Sequence, residues 1–124
     1  MSPRRVATLV PDLFFAARIG AAAKALEVAI EPLDAARAFE ACRSNPPDLL
    51  IVDLHAAGDP VAVARALKSD AATRAIPIAG FYSHVDQALR RAALEAGVDH
   101  VLPRSAFTAR LPELLAGRLP EAGE

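Results

Sequence analysis

The sequence predicts a five-stranded parallel sheet, doubly wound with helices on both faces and ordered 2-1-3-4-5. Three observations carry this. Short β-rich runs alternate strictly with longer amphipathic ones, the pattern of repeated strand and helix units. One run, Leu49-Leu50-Ile51-Val52, is apolar throughout, as a strand buried on both faces must be, and stands between Pro46-Pro47-Asp48 and the carboxylate of Asp53. The chain has 124 residues, enough for five units, whereas a closed eight-unit barrel needs roughly twice that length.

Taken in order, Val6-Ala7-Thr8-Leu9-Val10 is the first strand, stopped by Pro11-Asp12. Residues 13–26 follow as a surface helix, with Phe15, Ile19, Ala22 and Leu26 in one stripe and Arg18 and Lys24 outward. Glu27 to Glu31 is a second strand that Pro32 closes. Asp34 is placed to cap a helix running to about Ser44, with Ala36, Phe39 and Cys42 or their neighbours inward. The central strand, 49–53, comes next. After the loop Ala56-Ala57-Gly58-Asp59-Pro60, Val61 to Ser69 is helical and continues loosely over 71–75.

Ile78 to Tyr82 is the fourth strand. Ser83, three residues before Asp86, forms an acidic capping box that opens the next helix. Its stripe is Val85, Leu89, Ala92 and Ala96, with Arg90 and Arg91 outward and Gly97 as the C′ residue. Asp99 to Leu102 is the fifth strand, cut off by Pro103. The last helix, Ser105 to about Ala116, turns Phe107, Leu111, Leu114 and Leu115 inward and kinks or restarts at Pro112. Residues 1–117 are thus expected to form one domain, and 118–124 a C-terminal tail. In this topology strands 1 and 3 flank the point where the winding reverses, so Asp12 and Asp53 are expected to face each other across the crevice there.

Composition narrows the function. Hydrophobic residues make up 53% of the chain, yet no apolar run reaches the roughly 18 residues of a membrane span. Met1-Ser2-Pro3-Arg4-Arg5 leads directly into a strand-like run and lacks the long apolar region and small-residue cleavage site of a secretion signal, so a soluble, cytoplasmic protein is expected. The single cysteine, Cys42, excludes an internal disulfide and a cysteine-based zinc cluster, and reads as a buried, inert thiol. With 14 basic and 15 acidic residues the net charge is -1, which offers no excess for binding nucleic acid.

Over nearly its whole length the chain resembles a response-regulator receiver domain, a flavodoxin-like three-layer α/β sandwich of two-component signalling. The resemblance rests on Val10-Pro11-Asp12 after strand 1 and on Pro47-Asp48-Leu49-Leu50-Ile51-Val52-Asp53 at strand 3. It rests further on Ile76-Pro77-Ile78 opening strand 4 and on Ala96-Gly97-Val98-Asp99 before strand 5. It implies that Asp53 is the phosphoryl acceptor of a phosphorelay, with a histidine kinase or other signalling protein as partner. A carboxylate that attacks phosphorus needs a hard divalent cation and a fixed positive side chain. By the resemblance, Asp12, Asp53 and the His55 backbone carbonyl would hold Mg2+, while Tyr82, Ser83 and Arg104 would face the phosphoryl group. The helix 4, strand 5, helix 5 face, near Arg90, Arg91, Arg104 and Arg110, would dock a partner or a second copy as a homodimer.

Several positions depart from the family's pattern. Pro11 stands where a first acid belongs, and Tyr82 followed by Ser83 replaces a small hydroxyl ending strand 4. Arg104-Ser105 replaces lysine-proline, and Val101 replaces the aromatic of strand 5. The expected reading is therefore a stand-alone, degenerate receiver that signals by protein contacts, with Arg104 bridging Asp12 and Asp53 as a static ion pair. The alternative is a working phospho-receiver, whose chemistry would go no further than self-phosphotransfer and autodephosphorylation at Asp53. A second alternative is a small flavodoxin-like enzyme or ligand binder in the same crevice, though no glycine-rich phosphate loop follows strand 1. His55 and His84 lie at the same edge, where a transition metal with Asp53 or Asp12 is a minor reading. Ser83-His84 lacks the Gly-x-Ser-x-Gly turn of a hydrolase, and His100 reads as structural.

Overall fold

Each β-rich run becomes one strand of a single sheet in a computed structural model that describes residues 3–118. The elements are β1 (Arg5–Leu9), α1 (Leu13–Ala25), β2 (Ala29–Pro32), α2 (Ala35–Ser44), β3 (Leu49–Asp53), α3 (Pro60–Ser69), β4 (Ile78–Tyr82), α4 (Gln87–Ala96), β5 (His100–Pro103) and α5 (Arg104–Ala116). The strands pair in parallel in the order β2-β1-β3-β4-β5, as the sequence predicts.

All five residues of β3 are buried, which requires cover on both faces. Leu49 and Ile51 pack with Phe15, Ile19, Phe107 and Leu111 under α1 and α5. Leu50 and Val52 pack with Ala38, Ala64, Leu67 and Ala93 under α2, α3 and α4. The first of these layers centres on three rings: Phe81 lies 4.9 Å from Phe15 and 4.8 Å from Phe107, centroid to centroid. Tilted pairs at that spacing add attraction beyond the area they bury.

The differences from the sequence reading lie at element ends. α1 stops at Ala25, so its third inward residue is Ala23, and Leu26 becomes the exposed C-cap. Glu27 then takes a left-handed turn at φ 58° and β2 begins only at Ala29. Pro32 is the last residue of β2, which ends there as expected; β2 is an edge strand, where a missing N–H costs no ladder bond. In α2 the buried pair is Ala38 and Cys42, one turn apart, while Ala36 is exposed.

At α4 the cap is Asp86, whose carboxylate accepts the Leu89 N–H at 3.0 Å. Ser83 instead accepts the Asp86 N–H through its carbonyl, at 2.9 Å, in the turn before. Val85 therefore precedes the helix and is 76% exposed. Residues 71–75 form turns and not helix, anchored by the Thr73 hydroxyl donating to the Leu67 carbonyl at 2.6 Å. α5 runs unbroken through Pro112, because Leu111, Leu114 and Leu115 are all buried against the sheet on one face. The tail expected from 118 onward lies, from residue 119, outside the described residues. No helix among the described residues is long and apolar enough to cross a membrane.

Candidate functional site

β3 ends in Asp53, which is 6% exposed. Its Oδ1 accepts the His55 N–H at 2.9 Å, a turn that leads the chain off the strand. Its Oδ2 faces Arg104 Nη2 at 3.9 Å, an ion pair beyond hydrogen-bond length. Arg104 is the first residue of α5 and follows β5 directly. Its guanidinium carbon lies 4.7 Å from the Phe15 ring centroid and 4.9 Å from that of Phe81. Stacking on two rings holds the charge in place; contact with acids does not.

The expected bridge from Arg104 to Asp12 is not formed. Among the described residues Arg104 pairs with Asp53 alone. Asp12 caps α1, its Oδ1 accepting the Phe14 and Phe15 N–H groups at 2.9 and 3.2 Å. Register explains why both acids reach the same edge, since Leu9, the end of β1, pairs with Val52, Asp53 closes β3 and Asp12 follows β1. Helix capping then commits one oxygen of Asp12 to its own helix.

His55 acts through its ring as well as its backbone. Its Nε2 accepts the Ser83 N–H at 2.9 Å and so ties the loop after β3 to the loop after β4. Tyr82 is buried in the apolar layer under α2, α3 and α4 that includes Val52, Leu54 and Val101. No three His, Cys, Asp or Glu side chains converge among the described residues, so His55 and His84 build no transition-metal site there. The donors fit Mg2+ poorly. Asp12 and Asp53 each have an oxygen taken by backbone N–H groups, and the other oxygen of Asp53 looks at a guanidinium. A dication placed there meets the charge of Arg104 at close range.

Beside the pair opens a cavity of about 780 Å³ between the starts of α1 and α5. Asp12, Phe14, Arg18, Ser83, Arg104 and Ser105 are among the residues that line it, with His84 and Thr108. The sequence alone marks Phe15 as core and Arg18 as outward, and offers His55 a backbone carbonyl or a minor metal role but not a ring bond to Ser83. The available signal was an arginine replacing a lysine, since a planar cation calls for aromatic faces to lie on.

No family model and no curated protein matches the sequence. Solved structures do. A response regulator from Hahella chejuensis is 20% identical, with a TM-score of 0.81 over 94% of this chain and 95% of that one. The receiver domain of a sensor histidine kinase from Pseudomonas aeruginosa, with a magnesium ion coordinated in its active-site cleft, is 17% identical; its TM-score is 0.78 over 94% of this chain and 99% of that one. The receiver domain of a Saccharomyces cerevisiae response regulator, crystallised with a histidine phosphotransfer signalling protein, is 13% identical; its TM-score is 0.73 over 92% of this chain and 90% of that one. By strand order, by layers and by these likenesses, the chain has the fold of response-regulator receiver domains.

Proposed function

We propose that this chain is a receiver-type signalling domain of the cytoplasm in which the Asp53–Arg104 pair stands in for the phosphorylation cycle. The observation that supports this is the seating of Arg104 on Phe15 and Phe81 beside the buried carboxylate. An acceptor aspartate needs a free attacking oxygen, a dication and a mobile small hydroxyl. Here one oxygen is bonded to backbone, the other faces a fixed cation, and the strand-4 residue is a buried phenol. The charge that phosphorylation would bring into play is already compensated. Signalling then runs through protein contacts, with a histidine kinase, a phosphotransfer protein or a second copy as partner, the last through the α4–β5–α5 face. The partner class follows the yeast receiver, which was crystallised with a phosphotransfer protein.

A second reading keeps the phosphoryl cycle, with Asp53 as acceptor and Mg2+ on Asp12, Asp53 and the His55 carbonyl. The placement of Asp53 at the end of the central strand and the magnesium ion of the Pseudomonas receiver favour it. Titration with Mg2+ and beryllofluoride, read by amide shifts at residues 12, 53, 83 and 104, separates the two. The proposal expects no saturable response. Saturable shifts that disappear in Asp53→Asn would establish the second reading in its place.

A further inference from the structure

The cavity between α1 and α5 holds more positive charge than its surroundings use. Arg104 is fixed by stacking and meets Asp53 only beyond hydrogen-bond reach, so its fork is left for another acceptor. Arg18, one turn into α1, has no partner among the described residues. The one acid among the lining residues, Asp12, already gives an oxygen to its own helix, and its single charge stands against two guanidinium groups. α5 is 13 residues long and its N-cap is Pro103, which makes no side-chain capping bond. The N–H groups of its first turn therefore lack a side-chain acceptor at the same opening. Ser105 adds a hydroxyl donor, whereas the Thr108 hydroxyl already donates to the Arg104 carbonyl at 2.9 Å and keeps only its lone pairs.

Two guanidinium groups, a helix start and the Ser105 hydroxyl offer more donors than a flat carboxylate accepts, and suit a tetrahedral group with three acceptor oxygens. At the lip stands Phe14, 92% exposed, an apolar ring left in water beside these charges. The volume, about 780 Å³, lies within the roughly 300–1,000 Å³ of small-molecule sites, whereas a lone phosphate fills only a corner of it. We propose that the cavity binds a small organic phosphate carrying a planar ring, of the nucleoside monophosphate class. The phosphate lies against Arg18, Arg104 and the start of α5, and the ring lies on Phe14. This holds whether or not Asp53 accepts a phosphoryl group.

The test is a Mg2+-free titration of the whole chain with AMP, GMP, CMP and UMP in turn, read by amide shifts at Phe14, Arg18, Ser105 and Thr108. Inorganic phosphate and the four parent nucleosides serve as partial probes. At least one nucleotide is expected to saturate, about tenfold tighter than either of its parts. Arg18→Gln weakens it about tenfold. Phe14→Ala weakens it about fivefold and leaves inorganic phosphate unchanged. Both side chains are exposed, so neither variant endangers the fold. The proposal falls if no nucleotide saturates, if inorganic phosphate binds as well as the best of them, or if both variants keep full affinity. Asp53→Asn is expected to bind nucleotide at least as well as the natural chain, while it abolishes any beryllofluoride response, so the two readings fail separately.

Discussion

Where the strands begin, Asp99 accepts the Ile78 N–H at 2.8 Å and Lys68 Nζ at 2.7 Å, and Asp48 accepts the Arg5 N–H at 2.8 Å. Where the strands end, Asp53 meets Arg104 only at 3.9 Å and Arg18 meets no acid among the described residues. The first edge uses its charges to hold strand starts and helix ends together: Lys68 also donates to the Ile76 and Arg74 carbonyls. The second edge holds a cation by stacking and leaves its hydrogen bonds free. Charges bonded at short range to backbone are structural, whereas charges held rigid without a bonded acceptor are available to a partner.

The largest expected effect strikes the platform itself. Phe81→Ala removes a fully buried ring that touches both Phe15 and Phe107 and is expected to cost about 4 kcal/mol in urea unfolding. A loss below about 1 kcal/mol would mean that the rings do not carry that layer. Next, Asp99→Ala is expected to cost about 2 kcal/mol, because it strands a β4 amide and removes the counter-charge of Lys68, which keeps only its two carbonyl acceptors. Asp53→Asn keeps an acceptor for the His55 N–H and should change stability by no more than about 0.5 kcal/mol. Equal losses from the two aspartates would erase the contrast between the edges.

A smaller effect is read by pH. Burial pushes the Cys42 thiol above its ordinary value of 9.0; Glu31 adds to the shift and Arg5 opposes it. The unfolded chain therefore loses this proton first. Its contribution is fully present below the unfolded value and is lost as pH rises through the native one. The unfolding free energy should fall over that alkaline window, and Cys42→Ala should flatten the fall. Smallest of all, Arg18→Ala is expected to leave stability unchanged within about 0.3 kcal/mol, since the side chain has no partner to lose among the described residues. A larger loss would place Arg18 among the structural charges.

What was legible in the sequence is what periodicity and composition encode locally. The apolar run at 49–52 announced a strand buried on both faces, and so placed Asp53 at the ligand-bearing edge. Asp34 announced its cap, and Gly97 the left-handed end of α4, observed at φ 97°. Boundaries slipped where two local signals competed, as Ser83 and Asp86 did for the start of α4. The common edge of Asp12 and Asp53 also followed from strand order alone.

Only the tertiary structure decided what those groups do there. Phe15 and Phe81 belong to a helix and a strand far apart along the chain, and nothing local shows that their rings meet under Arg104. Nor does spacing reveal that Asp12 turns an oxygen to its own helix, or that the His55 ring reaches Ser83. Pattern along the chain reports which face a residue takes, because the helix and strand repeats are short-range properties. Which donor finds which acceptor depends on how separate elements are brought together, and that is settled by packing.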